Sequence, residues 1–251
     1  MDRIFASLIF FTRLPLWKAV NPPQKAYSDV VVFWPLVGWL TGGLTALALW
    51  GASYILPWPV AIILAISLRL LITGALHEDG LADFCDGFGA GGDKSRILAI
   101  MKDSHIGTYG VIGLIIYFLL YFAILMSLPL EVAALGVFSA DAFGKCAAAQ
   151  ITNILPYARP EGAKNKISYA RMSVAKILIC LTAGIAPLCI ATLLAGWRML
   201  PAAVLPIIML FWLASLMRKK LGGYTGDCCG ASFLLIEISF LLGLSISFTA
   251  L

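Results

Sequence analysis

Four carboxylates fall within nine residues of the string His77-Glu78-Asp79-Gly80-Leu81-Ala82-Asp83-Phe84-Cys85-Asp86-Gly87, in a chain with only 13 acidic residues. On a helix Asp79, Asp83 and Asp86 are spaced i, i+4, i+7 and share one face. Like charges so placed repel one another. A divalent cation makes them tolerable, and an all-oxygen donor set selects a hard ion, above all Mg²⁺ bridging protein carboxylates and substrate phosphates. The following residues extend that chemistry. Gly87-Phe88-Gly89-Ala90-Gly91-Gly92 holds four glycines in six residues, where backbone N–H groups can approach a phosphate closely. Gly89, Gly91 and Gly92 are therefore candidate contacts. A short helix is expected next, capped by Asp93, bearing Lys94, Arg96 and Lys102, and stopping near Gly107. Asp103 and His105 complete the segment, and His77 or His105 could bind phosphate or move a proton near neutral pH. Carboxylates for a metal, then amides and cations for phosphate oxygens, are what phosphoryl transfer needs.

A second element of this kind is Leu221-Gly222-Gly223-Tyr224-Thr225-Gly226-Asp227, directly after Arg218-Lys219-Lys220. Gly223 and Thr225 suit a phosphate or nucleotide. Asp227 suits a metal ligand, a general base or the N-cap of the next helix.

These segments must be positioned by membrane helices. The chain of 251 residues is 61% apolar and only 12% charged, about half the charged fraction of a soluble domain. Seven apolar runs reach or approach the roughly 20 residues that cross a bilayer: 30–50, 58–76, 109–128, 132–151, 174–195, 201–217 and 231–251. The expected fold is all-α, a polytopic bundle of about seven transmembrane helices forming one domain over 1–251. Residues 1–29 are expected to form an interfacial segment rather than a cleavable signal, and 77–108 a catalytic segment. Fifteen of the 18 Lys and Arg fall on one side of this layout and Arg198 alone on the other. The positive-inside rule makes the basic side, with the carboxylates, cytoplasmic. The loop 152–173, with Arg159, Lys164, Lys166 and Arg171, either covers the site or contacts lipid. The six cysteines show no zinc-ligand spacing and read as small core residues. No nucleic-acid-binding motif is present.

Four ionisable residues lie inside the runs, where such groups are costly and paired. Asp141 and Lys145 are i, i+4 on one helix. Arg69 lies ten residues before Asp79 and Glu237 ten after Asp227, each about 15 Å from the end of its helix. That matching depth puts Arg69 and Glu237 in position to pair.

From the residues, the best class is a Mg²⁺-dependent transferase acting on a diphosphate at the membrane face. An intramembrane prenyltransferase would need a second Asp-rich run, which is missing. A CDP-alcohol phosphotransferase would share the Asp79-Gly80 start but needs an Ala-Arg element that is absent. A transporter would place its site nearer mid-membrane. A further family fits more of the chain. HEDGLADFCDG (77–87), MKDSHIGTYG (101–110) and LGGYTGD (221–227), with FFTRLP (10–15) and FWPLVG (33–38), resemble the cobalamin synthases, or adenosylcobinamide-GDP ribazoletransferases. Lys102 and His105 stand where that family more often has Arg, and Tyr109 where His is common. The resemblance implies a late step of cobalamin assembly in a bacterial or archaeal cytoplasmic (inner) membrane. Adenosylcobinamide-GDP is joined to α-ribazole or its 5′-phosphate, releasing GMP, with Mg²⁺. It implies corrinoid nucleotide and ribazole as substrates, and leaves open a homo-oligomer or an association with other corrinoid enzymes. On these residues Asp79, Asp83 and Asp86 would hold the metal, and Asp83, Glu78 or Asp227 would serve catalysis. The glycine loop, Lys94, Arg96, Lys102, Asp103, His105, Gly223 and Thr225 would contact substrate.

Overall fold

The structure, a computed structural model, describes residues 1–159 and 171–249, so Lys164 and Lys166 lie outside the described residues. Among them are ten α-helices: α1 (Asp2–Phe11), α2 (Trp34–Ser53), α3 (Trp58–Thr73), α4 (Leu76–Ala90), α5 (Lys94–Ile100), α6 (Thr108–Ser127), α7 (Leu130–Ile154), α8 (Val174–Ala195), α9 (Val204–Leu221) and α10 (Gly226–Thr249). The all-α polytopic expectation holds. Six stretches are long and apolar enough to cross a membrane: α2, α6, α7, α8, α10, and α9 together with the 3₁₀ turn Trp197–Ala203 before it. The seventh expected span is bent. α3 has 16 residues, and α4 leaves it at 91° instead of continuing its line.

The bend is local chemistry. Gly74 and Ala75 both adopt left-handed φ, +65° and +55°, which ends α3 and restarts the chain in a new direction. At Gly74 a Cβ would also collide with the Arg13 side chain, and Arg13 N–H donates to the Ile72 carbonyl at 2.6 Å. The N-terminal segment thus braces the corner.

α7 and α10 form the centre of the bundle. In their apolar stretches 83% and 78% of residues are buried, against 28–33% for α2, α6 and α8. The outer helices turn residues such as Ile115, Leu119, Leu193 and Phe211 outward, as a lipid-facing surface requires. α2 crosses α7 on its own small residues, Gly38 and Gly42. A Cβ on Gly38 would lie 2.6 Å from the Ala142 Cα, and one on Gly42 would lie 2.8 Å from the Asp141 Cβ. Close backbone approach through small residues is the usual packing mode in a bilayer. The cysteines are free. Cys146, Cys180, Cys228 and Cys229 are buried as expected, whereas Cys189 is exposed on α8.

The interior charges are paired. Lys145 donates to Asp141 on the same helix and to Thr41 Oγ1 at 2.9 Å, while Thr41 donates to the other Asp141 oxygen at 2.9 Å. Arg69 meets Glu237 at 2.6 Å, the expected pair, although α3 ends only four residues after Arg69, so the count of ten residues to Asp79 does not measure its depth. It also donates to the Tyr117 hydroxyl at 2.7 Å and reaches Glu78 at 3.4 Å, and Tyr117 donates to Glu237 at 2.6 Å. α3, α4, α6 and α10 are thereby tied together.

Removing one member of a buried pair leaves an uncompensated charge, at a cost of about 3–5 kcal/mol. Arg69→Ala is expected to lower the thermal unfolding midpoint of the detergent-solubilised protein sharply. A midpoint within a degree or two of the parent would show that the cluster does not secure the bundle.

Candidate functional site

α4 and the start of α10 pack backbone to backbone. A Cβ on Gly80 would lie 3.0 Å from the Asp227 carbonyl oxygen and 3.2 Å from its Cα, and one on Gly230 would lie 3.4 Å from the His77 Cα. Gly80 is the glycine this approach requires, while a Cβ at Gly230 would find only ordinary contact distances. The result of the approach is that Asp83 and Asp79, on either side of Gly80, come within electrostatic reach of Asp227. Asp79 is exposed, while Asp83 and Asp227 are half-buried. Burial, then the Asp227, Asp79 and Asp86 carboxylates, push the Asp83 carboxyl up to about 7, against the pull of Arg159.

The loop before α10 is fixed by two strands' worth of pairing compressed into one bridge. Tyr224 N–H donates to the Pro156 carbonyl at 2.9 Å, and Ala158 N–H to the Tyr224 carbonyl at 2.8 Å. Gly223 is required because a side chain there would strike the Pro156 carbonyl. This pairing carries Arg159 to Asp227, which it meets at 3.0 Å. Thr225, fully buried, accepts the Cys228 N–H at 3.2 Å and so caps α10. The cap is Thr225, and Asp227 is left to the site.

Asp86 shares the stripe but not its surroundings. It is buried, and its two oxygens accept the N–H groups of Gly107 at 2.7 Å and Gly110 at 2.9 Å. It satisfies the first turn of α6, which has no other side-chain cap. Among the described residues no three His, Cys, Asp or Glu side chains converge as ready metal ligands. On α4, Asp79 and Asp83 are the carboxylates left within electrostatic reach of Asp227 on α10, with Asp86 held apart as a brace.

Glu78 turns the other way. Its position is five residues from Asp83, about 140° around the helix. It is buried beside Arg69, with one carboxylate oxygen unpartnered. His77 is likewise buried among Phe11, Trp34 and Phe233, not at the carboxylate group.

The glycine-rich stretch is shorter as a loop than its composition predicts. α4 runs through Ala90, so only Gly91 and Gly92 leave the helix, with φ of +66° and +109°. Gly87 and Gly89 are glycine for packing: a Cβ would meet Met101 at 2.6 Å and the Tyr109 ring at 2.6 Å, respectively. Asp93 caps α5 through the Arg96 N–H at 2.9 Å, as expected. α5 ends at Ile100, earlier than Gly107, and Gly107 instead begins α6. Lys94, Arg96 and Lys102 are exposed. Asp103 and His105 form an exposed local turn, with Asp103 accepting His105 N–H at 3.0 Å and pairing with its Nδ1 at 2.7 Å. Those bonds hold the Asp103 carboxyl below the usual range.

The residue that sequence reading passed over is Arg159. It was one cation among several in a long loop, and only the Tyr157–Tyr224 bridge singles it out.

Residues 3–245 match the family model for cobalamin-5-phosphate synthase. Relatives named adenosylcobinamide-GDP ribazoletransferase include one from Clostridium botulinum (strain Langeland), 37% identical over 93% of this chain and 93% of its own. Another, from Leptospira interrogans, is 34% identical over 100% of this chain and 97% of its own. A third, from Escherichia coli, is 34% identical over 97% of this chain and all of its own. No solved structure matches. The family match runs from α1 to the last turns of α10 and so takes in α4, Arg159 and Asp227 together: the chain belongs to the cobalamin-5-phosphate synthase family.

Proposed function

We propose that this protein joins adenosylcobinamide-GDP to α-ribazole, or to its 5′-phosphate, releasing GMP. The reaction takes place at the cytoplasmic face of a bacterial or archaeal inner membrane. The observation that carries the reading is the meeting of Asp79 and Asp83 with Asp227 across the Gly80–Gly230 contact, in a chain that matches this family over nearly its whole length. The orientation rests on the basic residues: Arg218, Lys219 and Lys220 close α9 at the same end of the bundle where α4 and α10 meet.

The donor set suits Mg²⁺. It is oxygen-only, and beyond the burial that chiefly raises the Asp83 carboxyl, the neighbouring Asp227, Asp79 and Asp86 charges are what a divalent cation relieves. Because three side chains do not converge, an ion held by Asp79 and Asp227 would take its remaining ligands from water and substrate phosphate, as Mg²⁺ does. When bound it would supply charge neutralisation for the diphosphate and the leaving phosphate. Arg159, on Asp227, adds a fixed positive charge beside the same oxygens. Lys94, Arg96 and Lys102, with the N–H groups of Gly91 and Gly92, are available to the guanosine phosphates. The ribazole hydroxyl oxygen attacks the phosphorus that carries cobinamide. The bond from that phosphorus to the GMP oxygen breaks, and the hydroxyl proton passes to a base. Asp83, half-buried beside Asp79 and Asp227 and with no ion-pair partner among the described residues, is the carboxylate placed for that role. Glu78 is not, because it is committed to Arg69. The interior charges that alone would suit a transporter are satisfied by one another.

The purified protein, given Mg²⁺, adenosylcobinamide-GDP and α-ribazole phosphate, is expected to release GMP, followed by mass spectrometry. Chelation should abolish this and added Mg²⁺ restore it. Asp83→Asn should lower kcat by about 10²–10⁴-fold, the usual worth of a positioned base, with unfolding unchanged; near-parental kcat would remove Asp83 from the role. Gly80→Val should reduce both stability and turnover by forcing α4 from α10, while Gly230→Ala, with only ordinary contact distances, should be mild. Asp86→Ala should cost about 1–3 kcal/mol of stability through the lost α6 cap. The apparent Mg²⁺ affinity, from activity against free Mg²⁺ at permissive temperature, should stay within about twofold. A larger weakening would return Asp86 to the metal set.

A further inference from the structure

At the same end of the bundle, away from the carboxylates, a cleft of about 380 Å³ opens between the start of α1, the 3₁₀ segment Gln24–Asp29 and the first turn of α8. Its polar lining is Asp2, Arg3, Lys25, Ser28, Asp29 and Lys176. Asp29 is buried, 5% exposed, and organises the others. One of its oxygens accepts from Lys176 Nζ at 2.6 Å, and the other faces Arg3 Nε at 3.3 Å. A single buried carboxylate thus holds two cations from helices far apart in sequence. Both remain partly open, with the Arg3 side chain 57% exposed and that of Lys176 30%. Lys25 adds a third cation, exposed and with no ion-pair partner among the described residues. Neither Asp29 nor these cations take any part in the site described above.

The surroundings identify the kind of anion. On α8, Ile179 stands three residues beyond Lys176 on the same side and is strongly exposed, while Val174 and Leu178, also exposed, lie on the opposite side of the helix. The cations therefore sit where the lipid-facing surface of α8 meets its polar end. Phosphate groups stand above acyl chains in this arrangement, and juxtamembrane Lys and Arg are attracted to anionic lipid there. Asp2 and Ser28, at the cleft wall, can accept hydrogen bonds from headgroup hydroxyls, the Ser28 hydroxyl proton being given to the Lys25 carbonyl at 2.9 Å.

We propose that this cleft binds the phosphodiester of an anionic, hydroxyl-bearing phospholipid headgroup through Arg3, Lys25 and Lys176, with the acyl chains along α8. α1 then links the lipid to the catalytic segment. It begins at the cleft, and just past its far end Arg13 is bonded to Ile72 at the α3–α4 corner, while Phe11 stacks on Trp34 and contacts His77 of α4.

The full-length protein, purified in detergent, is titrated with phosphatidylglycerol or phosphatidylcholine. Bound lipid is counted by native mass spectrometry, and the unfolding midpoint is followed in parallel. Phosphatidylglycerol should bind and raise the midpoint, and phosphatidylcholine should do neither. Lys25→Glu should weaken phosphatidylglycerol binding at least about fivefold, the worth of one cation near an anionic surface, with an unchanged midpoint in phosphatidylcholine. Lys219→Glu, an equal charge change at the end of α9, should bind as the parent does. Equal weakening in both variants, or none in Lys25→Glu, overturns the site in favour of diffuse surface charge. Protection by inorganic phosphate or glycerol phosphate as strong as that by the lipid overturns the lipid assignment and makes the ligand a free phosphate.

Discussion

A guanidinium inside a bilayer cannot stand alone, and the bundle is organised around that constraint. Arg69 is 2% exposed, near the C-terminal end of α3, and its partners come from three other helices: Glu237 of α10, Tyr117 of α6 and Glu78 of α4. Each contact is favourable only if the helices stand at one depth and rotation. A shift of one turn would leave a charge unsatisfied in a medium that offers no water. The cluster therefore does more than offset its own burial. It fixes α3, α6 and α10 in register and reaches the first turn of α4.

α4 converts that register into a site. It leaves α3 at a right angle, so its carboxylates lie across the end of the bundle instead of along a span. One side of α4 is fixed by Glu78 on Arg69, and the far end by Asp86 on the first turn of α6. The middle, around Gly80, is pressed against α10. Asp79 and Asp83 are what remains outside these attachments. They are left beside Asp227 by the way the rest of the helix is anchored, and their mutual repulsion is the electrostatic field that a cation and a diphosphate would satisfy.

Much of this was legible in the sequence because its causes are local or set by the bilayer. Span length and the need to pair interior charges made the helical bundle and the Arg69–Glu237 contact legible, although the equal residue counts did not, because α3 ends at Thr73 and α4 turns away. Asp93 as a cap follows equally from its place before a short polar helix. The glycine-rich stretch misled for a definable reason. Composition does not distinguish a glycine that frees the backbone, as at Gly91 and Gly92, from one that admits a neighbour, as at Gly87 and Gly89. The difference lies in Met101 and Tyr109, which arrive from other elements.

The i, i+4, i+7 stripe marks the limit most clearly. The sequence by itself determined that Asp79, Asp83 and Asp86 share a helix face, that this helix adjoins a membrane span, and that oxygen ligands and nearby cations suit phosphate chemistry. Which members of the stripe remain free was decided only by tertiary structure. A carboxylate's role depends on which donor reaches it first. Asp86 was met by the amides of Gly107 and Gly110, Glu78 by Arg69, and Asp227 by Arg159, delivered through a bridge between loops 67 residues apart at Tyr157 and Tyr224. Helical periodicity sets where a side chain points, but the partner it finds there belongs to the packing of the whole bundle.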